Sequence, residues 1–138
     1  MGTDIQEVYD AFQIKIPNFD YTGREDMIYM YFKIAIAKSY KTTSDDLSYE
    51  YDEVNHRGRF NSEIGYDTIE LLSMFMVQAY YQRKYTYLIG EKQHIGTRDF
   101  NKLPDKAKEL SSVVSALANW DSKIYEFRQE FYNYSDED

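Results

Sequence analysis

Residues 104–134 read PDKAKELSSVVSALANWDSKIYEFRQEFYNY. Within them Leu110, Val113, Leu117, Trp120, Ile124, Phe127, Phe131 and Tyr134 step by three and four residues without a break. That spacing keeps one seam of apolar side chains on a single face of a helix. Lys106, Glu109, Ser112, Asn119, Asp121, Ser122, Glu126, Gln129 and Glu130 fill much of the other face. Pro104 stands where a first helical residue belongs, since its missing N–H has no helical partner there anyway. The stretch therefore predicts a long terminal helix over 104–134, followed by an acidic tail at 135–138. Whether the seam meets the chain's own core, another copy or a different protein is left open by the spacing.

Three more helices follow from the same kind of pattern. Val8, Phe12 and Ile16, with Ile5 and Tyr9 beside them, predict a helix over about residues 4–15. Pro17 stops it, because the residue before a proline avoids the helical region, and Thr3 with Gln6 has the spacing of a capping pair. Met27, Ile28, Met30, Tyr31, Ile34, Ala35 and Ala37 predict a second helix over 24–41. Thr22 and Glu25 are its expected capping box, and Lys33, Lys38 and Lys41 favour its C-terminal end. Ile69, Leu71, Leu72, Met74, Phe75, Met76, Val77, Ala79, Tyr80 and Tyr81 are apolar almost all round, so the helix over 67–90 should be central and the most buried. Asp67 and Glu70 are its expected capping pair. The fold class is thus mainly α. Residues 1–134 form a single four-helix domain with a long acidic loop over 42–65, where a small β-hairpin is the expected addition.

The composition narrows the function classes. With 43% hydrophobic residues the chain is well above the disordered range. A net charge of −8 argues against a groove that grips nucleic-acid phosphates. There is no cysteine, so thiolate chemistry and cysteine metal sites are excluded. No run of eighteen apolar residues occurs, and the N-terminus lacks a basic flank before an apolar block, so neither a membrane span nor a signal peptide is expected. Tyrosine is abundant, with 15 copies against 8 Phe and 1 Trp. Its apolar body and polar tip suit surfaces that are covered only in an assembly.

Candidates for chemistry are few. His56 and His94 fall in predicted connections, and no HExxH or paired metal spacing is present. No G-x-S-x-G motif occurs, and the glycines are scattered singly rather than forming a phosphate cradle. No cofactor is expected. The acids Asp45, Asp46, Glu50, Asp52 and Glu53 follow one another with no base between them. They lack the glycine and alternation of a calcium loop. They read as solvated surface, or as a charged face toward a basic partner or a DNA path. Arg57, Arg59 and Phe60 form a short basic cluster. It suits an inter-subunit contact to an acidic loop, with pairing inside the chain as the alternative. At the far end Phe127, Phe131, Tyr132 and Tyr134 extend beyond what a core of this size needs. They suit docking to another protein, with packing on Val8 and Phe12 as the alternative.

The order of features resembles small virion proteins of tailed phages that infect low-GC Gram-positive bacteria. The similar elements are Val8-Tyr9-Asp10-Ala11-Phe12 with Lys15-Ile16, then Tyr31-Phe32-Lys33-Ile34-Ala35-Ile36. Gly58-Arg59-Phe60-Asn61-Ser62-Glu63-Ile64 and Ile69-Glu70-Leu71-Leu72 with Met76-Val77 follow. Ile95-Gly96-Thr97-Arg98-Asp99-Phe100 and the terminal helix ending in Tyr132-Asn133-Tyr134 complete the set. The resemblance implies a head–tail connector, or neck adaptor. Such a protein sits as a ring, often of twelve copies, between the portal protein and a downstream neck or tail protein. DNA passes through the ring without specific binding. It implies a structural role without catalysis, in the virion, after assembly in the host cytoplasm. The other reading of the residues is an acidic protein-binding or DNA-mimic inhibitor encoded by a phage.

Overall fold

The computed structural model describes residues 2–94 and 103–132. Four helices and one hairpin follow in the order α1 (Ile5–Lys15), α2 (Glu25–Ser39), β1 (Tyr49–Asp52), β2 (Arg57–Phe60), α3 (Tyr66–His94) and α4 (Leu103–Tyr132). Each helix lies within a few residues of its expected span, and the two short strands pair antiparallel inside the long loop.

α3 is the central element. Leu71, Leu72, Met76 and Val77 are fully buried along it, and Ser73 is buried with its hydroxyl donating to the Glu70 carbonyl at 2.7 Å. α1, α2 and α4 all pack on α3. Its N-terminal half is covered from several sides, which is what an all-round apolar sequence requires. α4 runs antiparallel to it. Thr68 meets Tyr132, Gln78 donates to Asp121 at 2.6 Å and Lys106 pairs with Glu91 at 2.6 Å, so the two helices stay in register over most of their length. Leu88 and Val113 are buried outside the main core, between the far halves of these two helices.

The core is unusually aromatic. Phe12, Phe19, Tyr31 and Tyr80 form one set, every pair of rings lying 5.6–6.4 Å apart. A second set joins α2 to the hairpin. Tyr29 stacks on Tyr51 at 3.7 Å, and Phe32 meets Tyr49 at 5.1 Å and Phe60 at 5.8 Å. Each such contact adds about 0.5–1.5 kcal/mol beyond area burial. Much of the tyrosine content therefore serves the chain's own packing. Tyr9, Tyr21, Tyr29, Tyr31, Tyr49, Tyr51, Tyr80, Tyr81 and Tyr132 all belong to or line the core.

The caps differ from the local pairs expected from sequence. Asp4, not Thr3, caps α1, accepting from the Gln6 N–H at 2.8 Å. The Thr3 hydroxyl accepts instead from the Ile64 N–H at 3.0 Å, tying the N-terminus to the end of the loop. α2 has no side-chain cap at Arg24, and Glu25 accepts from the Gly23 N–H at 3.2 Å. At α3, Glu70 turns away to pair with Lys15 at 2.7 Å. Replacing Asp4 by Ala should cost about 1 kcal/mol in a urea titration, the usual value of an N-cap. An unchanged midpoint would mean that the cap bond is made equally well by water.

Candidate functional site

The hairpin positions the residues flagged in the loop. Its register sets Glu50 opposite Arg59 and Asp52 opposite Arg57. The acidic strand and the basic strand therefore face one another within a single chain. Arg59 donates to the Gly2 carbonyl at 2.6 Å and lies 3.7 Å from Asp4, so it clips the N-terminal segment to β2. Arg57 is exposed. Phe60 is a correction to the expected contact set. It is 1% exposed, held between Phe32 and Tyr49, and has no surface to offer a partner. The strand alternation explains this, because Arg57 and Arg59 point out and Phe60 points in.

The acids divide by what their oxygens do. Asp46 accepts from the backbone and hydroxyl of Ser48, and Asp52 accepts from Val54 N–H and Asn55 in the tip of the hairpin. Both carboxyls are held below the usual aspartate range by those bonds. His56 completes the tip with φ of 55°, the left-handed conformation that closes the turn. Glu50 and Glu53 are exposed.

Asp45 has a different place. Its Oδ2 accepts from the Gly65 N–H at 3.0 Å and the Thr68 hydroxyl at 2.6 Å, at the N-terminus of α3. A carboxylate is favoured there by the helix dipole. Thr68 is 2% exposed, and its oxygen also lies 2.9 Å from the Thr43 hydroxyl and 3.1 Å from the Tyr132 hydroxyl. One hydroxyl thus joins the loop, α3 and the end of α4. Burial pushes the Tyr132 phenol above its ordinary pKa.

The end of the ladder is anchored on α3 rather than free. Phe127 and Tyr132 line the core, and Arg128 lies over the Phe75 ring at 5.9 Å. Phe131 meets Phe127 at 4.5 Å with the rings tilted, yet is 48% exposed. Val114 and Tyr125 are also exposed, eleven residues or about three turns apart on the outer side of α4. Tyr134 lies outside the described residues, as do residues 135–138 and the stretch 95–100.

A cleft that the sequence did not point to opens between the α1–α2 connection, the start of α2 and the middle of α3. It encloses about 620 Å³. Phe19, Tyr31 and Tyr80 make its floor, and Arg24, Arg83 and Lys84 stand around it with one acid, Asp20. Asp20 is engaged locally, accepting from the Thr22 N–H at 2.9 Å. These residues come from three separated segments, so no single window of sequence shows them together. The only local signal is the Arg83-Lys84 pair directly after the buried run of α3.

Among the described residues no group of three or more His, Cys, Asp or Glu is placed to hold a metal ion. No helix among them is long and apolar enough to cross a membrane. Comparison with protein-family models, with curated proteins and with solved structures finds no match to this chain.

Proposed function

We propose that the chain is a structural virion protein, a head–tail connector that assembles as a ring at the phage neck. Its partners are other copies, the portal protein and a downstream neck or tail protein, with DNA passing through unheld. The observation that carries this reading is α4, which leaves Val114 and Tyr125 exposed on its outer side and Phe131 half-exposed at the end of its apolar seam. Aromatic and aliphatic side chains on such a surface make effective anchors once a partner excludes water. The helical fold is what the resemblance implies for an adaptor, and the net charge of −8 suits a channel wall that DNA must slide past. The role needs no catalysis.

A DNA-mimic inhibitor is less well supported. It needs carboxylates arrayed freely over one face, whereas Asp4, Asp20, Asp45, Asp46 and Asp52 each accept bonds from nearby N–H groups.

Peptide mass spectrometry of purified particles from the element that encodes the chain should find it in amounts comparable to the portal protein. Its absence would overturn the proposal. Phe131→Ala should reduce incorporation while changing monomer stability by less than about 1 kcal/mol, because half of that ring is already in water. Full incorporation of the variant would remove Phe131 from the docking surface.

A further inference from the structure

The cleft beside Arg24 and Arg83 has the features of a binding site for an acidic, aromatic segment. The chain as a whole is strongly acidic, yet three cations gather here around one aspartate. None of the three makes an ion pair among the described residues. Arg24 and Arg83 line the cleft together with Tyr31, and their charges oppose the upward shift that burial gives its phenol. The volume of about 620 Å³ lies in the range of sites that bury a small ligand or a few side chains.

The chain itself carries a segment of matching chemistry. Residues 134–138 read YSDED, one tyrosine followed by three carboxylates in five residues. We propose that the cleft of one copy takes residues 134–138 of a second copy. Tyr134 fits the floor of Phe19, Tyr31 and Tyr80, and Asp136, Glu137 and Asp138 meet Arg24, Arg83 and Lys84.

Chain geometry makes the contact intermolecular. Tyr132 is fixed beside Thr68 at the start of α3. Tyr80 lies twelve residues further along that helix, about 18 Å away at 1.5 Å per residue. From Tyr132, Tyr134 is reached by two residues, at most about 7 Å of extended backbone. Two residues of backbone do not cover that distance, so the occupant we propose is a neighbour's segment rather than the chain's own. The contact joins unlike surfaces, tail to cleft, which is the heterologous kind that closes into a ring when the rotation per copy allows. In that respect it deepens the connector reading, although the binding step itself does not depend on it.

The test is a labelled peptide of residues 131–138 titrated with the full chain at low salt and followed by fluorescence anisotropy. Saturable binding is expected, at least tenfold weaker when the chain carries R24E and R83E. Both arginines are exposed, so those variants should keep the helical circular dichroism of the parent. A peptide carrying Asp136→Lys, Glu137→Lys and Asp138→Lys should bind the reversed chain and not the parent, and Tyr134→Ala should weaken the parent peptide. No binding of the parent peptide, or equal binding to the reversed chain, would overturn the proposal. So would inorganic triphosphate binding at the cleft where the peptide does not. The two readings fail separately. Peptide that does not bind, in a protein found in particles, removes the tail contact alone. Binding by a protein missing from particles removes the connector reading alone.

Discussion

Thr68→Val should destabilise the chain by about 3 kcal/mol, although it removes no volume. The Thr68 hydroxyl has one hydrogen and two lone pairs, and all three are used. It donates to Asp45 at 2.6 Å and lies within accepting distance of the Thr43 and Tyr132 hydroxyls, at 2.9 and 3.1 Å. A methyl group in its place deprives a carboxylate of a short, charge-assisted bond. It also leaves two hydroxyls without their acceptor in a site where Thr43 and Thr68 are both buried. Groups stranded in this way cost about 1–3 kcal/mol each, less whatever water recovers at the Tyr132 edge. The urea midpoint should fall with little change in slope, and the melting temperature should drop by about 10 °C for a chain of this length. Thr68→Ser is the control. It keeps every bond and loses one methyl, at about 1 kcal/mol. A Val variant within about 0.5 kcal/mol of the parent would mean that the three hydroxyls do not share their bonds as the distances indicate.

That junction also marks where sequence reading stops. The ladder at 110–131 was legible because helix periodicity is a local property, and Val113 and Ile124 are indeed the buried rungs of α4. Pro17 ends α1 after Lys15 for an equally local reason. The start of α3 was not legible in the same way. Asp67 and Glu70 have the spacing of a capping pair, but the carboxylate that serves this end comes from Asp45, twenty residues upstream of Gly65. Only the folded loop brings it there. Glu70 is then released to meet Lys15 on α1. Phe60 is a different case. Its burial follows from period-two alternation once residues 57–60 are read as a strand, and it was the extended state, not the rule, that lacked a strong signal. The cleft at Arg24 and Arg83 is the clearest limit, because it is assembled from the α1–α2 connection, α2 and α3.

The aromatic core carries its own signature in alkaline solution. Tyr9 and Tyr31 are 4% and 2% exposed, and burial raises both phenols above their ordinary value of 10.0. At Tyr9 the neighbouring tyrosines Tyr51, Tyr29 and Tyr49 push the same way, while at Tyr31 the charges of Arg83 and Arg24 oppose the shift. The folded chain therefore keeps protons that the unfolded chain releases as pH rises through 10. Stability contributed by these groups is fully present below that value and falls above it, by about 1.4 kcal/mol per pH unit for each group while the folded form stays protonated. Tyr9 and Tyr31 therefore both weaken the fold as pH rises above 10. Urea midpoints measured from pH 8 to 11 should be level at first and then drop steeply, with tyrosinate absorbance rising in step with unfolding. Tyr9→Phe keeps the ring against Phe32 and Tyr21 and removes one titrating group. It should make the alkaline fall shallower by about 1.4 kcal/mol per pH unit. Midpoints that stay level through pH 11, or an equally steep fall in the Phe variant, would mean that these phenols reach water in the folded chain. The packing of α1 on α2 would then be looser than the ring contacts imply.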